Sequence, residues 1–204
     1  MRLPPLAPRL LISLPLSGLL LAARAAGHDG AAAAAAAALI AAMLVPTGRA
    51  GGIAGAALAA AGVTLPLASG AEGARAVLAA LPLAGNLVLA WHFGATLRPG
   101  REALITRYCR AEHGEIPASL AGYARRLTVL WTFFFLAFCA ANLATLAGFG
   151  PPPGSSAVAN LVLAATFFLG EHVVRGRLFP QFGPARPVRT LRAMWRADVV
   201  PDVR

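Results

Sequence analysis

Apolar stretches alternate with short polar connections along the whole chain. An α-helix rises about 1.5 Å per residue, so roughly 20 apolar residues cross the ~30 Å hydrocarbon core of a bilayer. Stretches of this length predict helices that lie in a membrane. Six such helices are predicted, at residues 10–26, 31–45, 51–68, 74–93, 127–148 and 157–174.

The first two stretches are open to other interpretations. Residues 10–26 follow two arginines and end in small residues, as a cleavable signal peptide does. Because more apolar stretches follow, and because Arg24 lies where cleavage would occur, we favour an uncleaved helix. Residues 31–45 contain eight consecutive alanines. They reach only about 23 Å, which makes them the weakest of the six predicted spans.

The amino-acid composition agrees with a membrane protein and excludes an ordinary soluble domain. The 204 residues are 58% hydrophobic and 13% charged, whereas about a quarter of a soluble domain is charged. Six spans and their connections use the whole length. We therefore expect an all-α, polytopic integral membrane protein, with residues 1–204 as a single transmembrane domain.

Arginines predict the topology. The chain has 18 arginines and no lysine, and short loops rich in positive charge stay on the cytoplasmic side. With six helices and a cytoplasmic N-terminus, 16 arginines lie inside, and only Arg24 and Arg75 lie outside. Trp91 and Trp131 then fall at cytoplasmic helix ends, where an aromatic belt is expected. We predict a bacterial inner (plasma) membrane protein with both termini in the cytoplasm.

The net charge of +10 would suggest nucleic-acid binding in a soluble protein. Here the arginines flank apolar helices, which favours membrane lipids as partners and argues against nucleic acid. The sequence does not indicate an oligomeric state.

Two cytoplasmic segments hold thirteen of the sixteen inside arginines: the loop 94–126 and the tail 175–204. Each contains a predicted amphipathic helix, at 101–113 and at 188–199, expected to lie in the headgroup layer. On the loop helix one face holds Leu104, Ile105, Tyr108, Cys109 and Ala111. The other face holds Glu102, Thr106, Arg107, Arg110 and His113.

This surplus of arginine predicts a surface that binds an anion or a partner. Glu171 is added to this predicted surface because an ionisable side chain at membrane depth often has a function. The alternative is that Glu171 only neutralises Arg175, four residues later on the same helix. The candidate binding residues are Arg98, Arg101, Arg107, Arg125, Arg126, Glu171, Arg175 and Arg177.

Motifs for catalysis are absent from the sequence. In a catalytic interpretation, Arg98, Arg101, Arg125 and Arg126 would hold a phosphate or carboxylate headgroup, and His113 or Glu102 would be the general base. No catalytic residue is assigned. Cys109 and Cys139 are too few for a zinc site, and no metal or cofactor is expected.

Three segments, at residues 97–107, 123–131 and 171–180, resemble a family of small, uncharacterised bacterial inner-membrane proteins. The resemblance covers about residues 91–180. That family occurs with gene clusters for aryl polyene pigments of the xanthomonadin type. Some members are labelled "ketosynthase", but nothing here fits a thiolase-like fold or a Cys-His-His arrangement. The resemblance implies a role in the synthesis, tethering or export of a lipid-like polyene ester.

Three functions follow as hypotheses. We favour a non-enzymatic accessory protein that docks soluble acyl-chain enzymes, or their acidic acyl carrier protein, on its arginine-rich face. The first alternative is a small lipid or polyene transporter, for which Asn86, Asn142 and Asn160 are the polar groups within the apolar stretches. The second is a membrane-bound acyl or headgroup transferase.

Overall fold

The computed structural model describes residues 6–44, 49–151, 153–182, 188–190 and 192, and all regular elements among them are helical. The α-helices are α1 (Leu6–Ala25), α2 (Asp29–Leu44), α3 (Arg49–Gly94), α4 (Leu104–His113), α5 (Ala118–Leu146) and α6 (Pro153–Leu178). Short 3-10 helices follow α3 and α6, at Ala95–Leu97 and Pro180–Phe182. The predicted all-helical fold class is confirmed.

Among the described residues, three helical stretches are long and apolar enough to cross a bilayer: Gly70–Leu97, Ala118–Leu146 and Val158–Leu178. Shorter apolar helical segments occur in α1 (Pro15–Ala25) and α2 (Asp29–Ala42). The chain is therefore a membrane protein by the length and composition of its helices. The topology of six membrane-spanning helices remains a prediction.

Contacts divide the chain into two compact units. Unit 1 comprises Met1–Val88 and Asn142–Pro153, and unit 2 comprises Leu89–Ala141 and Gly154–Arg204. In unit 1, α1 packs against α2, and an exposed Arg24–Asp29 ion pair (3.2 Å) bridges the turn between them. Ala32, Ala33 and Ala36 of α2 are fully buried, because small side chains allow two helix backbones to approach closely.

Gly70 breaks α3 into two stretches. Its φ of 63° and ψ of −146° lie outside the helical region, and only glycine adopts such angles readily. The two predicted helices 51–68 and 74–93 thus correspond to the two stretches of α3 on either side of Gly70. Within its second stretch the Asn86 side chain donates to the carbonyl of Pro82 (2.8 Å).

An aromatic cluster forms the core of unit 2. The Trp131 ring on α5 lies 4.5 Å from that of Phe167 on α6 and 5.3 Å from that of Phe135, one turn along its own helix. Phe93, near the end of α3, contacts both Trp131 and Phe135. Leu127, also on α5, is buried with them. This cluster joins three helices.

Trp131 corrects the aromatic-belt prediction. Its residue surface is only 9% exposed because Leu127, Trp131 and Phe135 follow helical spacing on one face of α5. Trp91 is 55% exposed, and the guanidinium carbon of Arg98 lies 5.3 Å from its ring centroid. Of the two, only Trp91 has the exposure of a belt residue.

The aromatic cluster predicts a large difference between the two tryptophans. Trp131→Ala removes ring contacts to three helices and should lower the free energy of unfolding by on the order of 3 kcal/mol. Trp91→Ala, the matched control, should cost far less because its ring is mostly exposed. Denaturant unfolding in detergent micelles measures both. Equal losses in the two variants would contradict a core centred on Trp131.

Candidate functional site

The candidate site lies where the end of α3, α4, the start of α5 and the end of α6 meet in unit 2. Arg125 near the start of α5 donates from Nη2 to the carbonyl of Leu97 (3.0 Å). The Tyr123 ring lies 5.4 Å from that of Phe179, just beyond α6. These contacts bring the polar segments that flank the candidate spans together at one end of the unit, which we call the polar end.

Helix α4 buries its apolar face within the protein. Leu104 and Tyr108 are buried, as the pattern predicts. Thr106, predicted on the polar face, is also buried, and its hydroxyl donates to the carbonyl of Ala121 on α5 (3.4 Å). Ala111, predicted on the apolar face, is exposed. The buried face is therefore rotated from the predicted one, since α5 covers it; a position in the headgroup layer stays a prediction.

Glu112 is a functional candidate that sequence reasoning missed. It follows Tyr108 by four residues and Leu104 by eight, which places it on the buried face of α4. Its side chain is only 5% exposed. The sequence shows this carboxylate at helical spacing from the apolar residues Leu104 and Tyr108, which indicates that it is buried. A buried carboxylate needs a cationic partner.

That partner is Arg175 on α6. Its Nη1 lies 3.9 Å from Glu112 Oε2, and its Nε lies 3.3 Å from Glu171 Oε1. Its Nη2 donates to the Thr190 hydroxyl at 3.0 Å. Together with His172, these residues form what we call the buried polar cluster: Glu112, Glu171, His172, Arg175 and Thr190.

The predicted Glu171–Arg175 pair is thus present, and it belongs to a larger group. Glu171 Oε1 and Arg175 Nε are close enough to attract but lack hydrogen-bond geometry, and neither atom has another hydrogen-bond partner among the described residues. Arg189 in the tail adds a second positive charge, with Nε 3.7 Å from Glu112 Oε1. Two carboxylates therefore face two guanidinium groups.

His172 connects α6 to the tail. Its Nδ1 lies 2.7 Å from the carbonyl oxygen of Phe168 and 3.1 Å from Glu171 Oε2. Its Nε2 lies 3.1 Å from Thr190 Oγ1. A carbonyl oxygen can only accept, so in the neutral ring Nδ1 carries the proton and Nε2 is an acceptor.

Of the two predicted general bases, Glu102 lies outside this cluster and His113 borders it. Glu102 is engaged by Arg110 in an exposed pair (2.9 Å). His113 stacks against Phe182 with ring centroids 5.0 Å apart, and its Nε2 lies 3.8 Å from Glu112 Oε1. Partial burial lowers the pKa of His113 below its usual value, and the charge of Glu112 opposes that shift. Within the described part of the chain, neither side chain forms a hydrogen bond to a hydroxyl or a thiol.

Cys109 borders the cluster, with Sγ 3.8 Å from Arg175 Nη1. Burial raises the pKa of its thiol, and the neighbouring Arg175 charge only partly offsets that rise. A thiol is reactive only as the thiolate, so Cys109 is a poor nucleophile here. Cys109 and Cys139 are both buried free thiols, and in the described part of the chain no three His, Cys, Asp or Glu side chains could hold a metal ion.

The remaining predicted site residues lie apart from the buried cluster, on the surface. Arg98, Arg101, Arg125, Arg126 and Arg177 are exposed, and Arg107 is half-buried. Arg110, Arg189 and Arg192 are exposed as well. Among the described residues of unit 2, the exposed acidic side chains are Glu102 and Glu115. The polar end therefore presents eight exposed arginines against two carboxylates.

The predicted tail helix, 188–199, lies partly outside the described residues. Within it the structure describes residues 188–190 and 192, and Val188 is exposed. Residues 191 and 193–199 lie outside the described part. Arg189 and Thr190 show that the tail returns to α4 and α6.

Comparison with known proteins adds no assignment: no protein-family model, no curated protein and no solved structure matches this chain.

The buried cluster predicts unequal costs for two arginines on the same helix. Arg175→Leu leaves Glu112 and Glu171 buried without their central cation and should cost about 3–5 kcal/mol of unfolding free energy. Arg177→Leu, which removes an exposed guanidinium two residues away, should stay within about 0.5 kcal/mol of the parent. Unfolding in detergent micelles measures both, and a tolerated Arg175→Leu would contradict a buried ion cluster.

Proposed function

We propose that this chain is an accessory protein of the bacterial inner membrane that holds soluble acyl-chain enzymes, or their acidic acyl carrier protein, at the cytoplasmic face. The observation that carries the proposal is the excess of exposed arginines at the polar end of unit 2, eight against two exposed glutamates among the described residues. The docking role requires no chemistry from the chain itself.

The form of this surface favours a protein partner. Membrane orientation needs only a bias in positive charge between loops. Eight exposed guanidinium groups are more than such a bias requires. Arg98 and Arg125 are also held in place, by the Trp91 ring and by the Leu97 carbonyl. Charged groups fixed in position steer an oppositely charged partner and set its register. A family resemblance across residues 91–180 supplies the setting, which is the synthesis of an aryl polyene lipid.

The proposal includes a topology of six spans with both termini in the cytoplasm. Support comes from the arginine distribution and from the three long apolar helices. In this topology α1 and α2 cross the membrane as a packed pair, and the buried alanines of α2 provide the close contact that such a pair needs.

Cysteine labelling tests that topology. In a chain with Cys109→Ser and Cys139→Ser, a membrane-impermeant maleimide applied to spheroplasts should label Arg75→Cys. It should leave Arg49→Cys and Arg98→Cys unlabelled until the membrane is permeabilised. Labelled Arg49→Cys with unlabelled Arg98→Cys would indicate three spans. Labelled Arg98→Cys would place the arginines outside and overturn the docking proposal.

Binding of a purified acidic acyl carrier protein tests the docking itself. The chain is placed in nanodiscs of uncharged lipid, so that the lipid headgroups contribute no net charge. Arg98→Ala with Arg101→Ala should weaken binding about two- to thirtyfold, because each exposed ion pair contributes roughly 0.2–1 kcal/mol. Raising the salt from about 0.05 M to about 0.5 M should weaken it further, since the Debye length shortens.

Arg24→Ala with Arg75→Ala is the matched control. It removes the same charge from unit 1 and should leave the affinity unchanged. Binding that survives both high salt and the combined loss of Arg98, Arg101 and Arg107 would overturn the proposal.

A further inference from the structure

Thr190 holds an unusual position for a residue in a polar tail. Its hydroxyl oxygen lies 3.1 Å from His172 Nε2, 3.0 Å from Arg175 Nη2 and 3.4 Å from Glu112 Oε2. The hydroxyl has one proton to donate and two acceptors within reach, the imidazole and the carboxylate. The shorter distance is to the imidazole.

The imidazole is oriented to take that proton. His172 Nδ1 donates to the Phe168 carbonyl one turn earlier, which leaves Nε2 unprotonated and directed at Thr190. Glu171 Oε2, 3.1 Å from Nδ1, stabilises the positive charge that the ring gains when Nε2 is protonated. A hydroxyl, a base within hydrogen-bond reach and a group that orients the base are the parts of an activated nucleophile.

Arg175 supplies the remaining requirement. Its Nη2 donates to Thr190 Oγ1, so negative charge that develops on this oxygen has a guanidinium 3.0 Å away. The guanidinium is buried, and burial strengthens its interaction with a nearby charge. Arg189 offsets the opposing charge of Glu112.

We propose that Thr190 is a nucleophile that accepts an acyl group from an acyl thioester, with His172 as its general base. Thr190 Oγ1 forms a bond to the thioester carbonyl carbon, and its proton moves to His172 Nε2. The carbon–sulfur bond then breaks, and the departing thiolate takes that proton to leave as a free thiol. The product is an ester of Thr190, which a hydroxyl acceptor or water can cleave to restore the residue.

The charges around Thr190 favour acyl transfer over phosphoryl transfer. Glu112 and Glu171 balance the charges of Arg175 and Arg189, so the cluster has no surplus positive charge to hold a phosphate dianion, whereas an acyl carbonyl is uncharged. Val173, Val174 and Leu178, which neighbour the cluster residues of α6 in sequence, are apolar and exposed, which suits the hydrocarbon chain of an acyl group. This activity goes beyond docking, since it needs the acyl group and not the arginine face.

The test uses a small probe that requires no docked carrier. The full chain in nanodiscs is incubated with the octanoyl thioester of N-acetylcysteamine; released thiol and protein mass are then measured. We expect thiol release together with an octanoyl ester mapped to Thr190. His172→Gln should slow the release by about a hundredfold or more, the usual contribution of a general base.

Variants of the hydroxyl complete the design. Thr190→Ser should retain the ester and Thr190→Ala should lose it, while Thr132→Ala, a matched threonine in α5, should behave as the parent. An adduct at Cys109 would be a thioester and cleave in neutral hydroxylamine, unlike the threonine ester. That result would overturn the proposal.

Two further results would also overturn it. One is the absence of both thiol release and adduct in the parent chain, which would make the Thr190–His172 contact purely structural. The other is labelling of Thr190 that persists in His172→Gln. Because the probe bypasses the carrier, these outcomes are independent of whether the arginine face binds a partner.

Discussion

The arrangement of unit 2 depends on one buried guanidinium, that of Arg175. Removing a charge from water costs several kcal/mol, and only partners in good geometry offset that cost. The partners of Arg175 come from three segments: Glu171 from its own helix, Glu112 from α4 and Thr190 from the tail. Satisfying this one side chain therefore requires α4 to dock on α6 and the tail to return to both. Helix α4 lies between two candidate spans in the sequence. The contact between its Glu112 and Arg175 docks it against α6.

The aromatic cluster sets where that guanidinium can lie. Inside a bilayer the lipid tails are as apolar as the side chains, so close packing, more than the hydrophobic effect, holds helices together. Trp131 and Phe167 fix the contact between α5 and α6, with ring centroids 4.5 Å apart. Glu171 follows Phe167 by four residues, one turn closer to the end of α6. Unit 2 is thus layered along its helices, with aromatic rings first and the buried polar cluster next. The ring contacts that hold α5 against α6 therefore lie directly beside the charged cluster on α6.

The sequence predicts the helices and the local pair, but not the cluster. Apolar length and spacing were enough for the all-helical class, and the four-residue separation predicted Glu171 beside Arg175. Glu112 and Thr190 are 78 residues apart, and spacing along one helix carries no information about such contacts. The sequence contains one neglected signal, Glu112 on the apolar side of α4. The aromatic belt was misjudged for Trp131 because an aromatic residue near a helix end suits an interface and a core equally well, and only its neighbours decide.

The exposed arginines and the buried cluster meet at Arg189. Its guanidinium is about half exposed, so it belongs to the surface that would face an acidic partner, and it also pairs with the buried Glu112. One cation cannot fully serve both anions, because its attraction to each falls as it moves toward the other. An acidic partner that engages Arg189 would therefore leave Glu112 with less opposing charge. Glu112 would then attract the proton of the Thr190 hydroxyl, 3.4 Å away, more strongly. The proton of Thr190 would then be shared differently between Glu112 and His172. Docking at the surface would in this way alter proton transfer in the cluster through the Arg189 side chain.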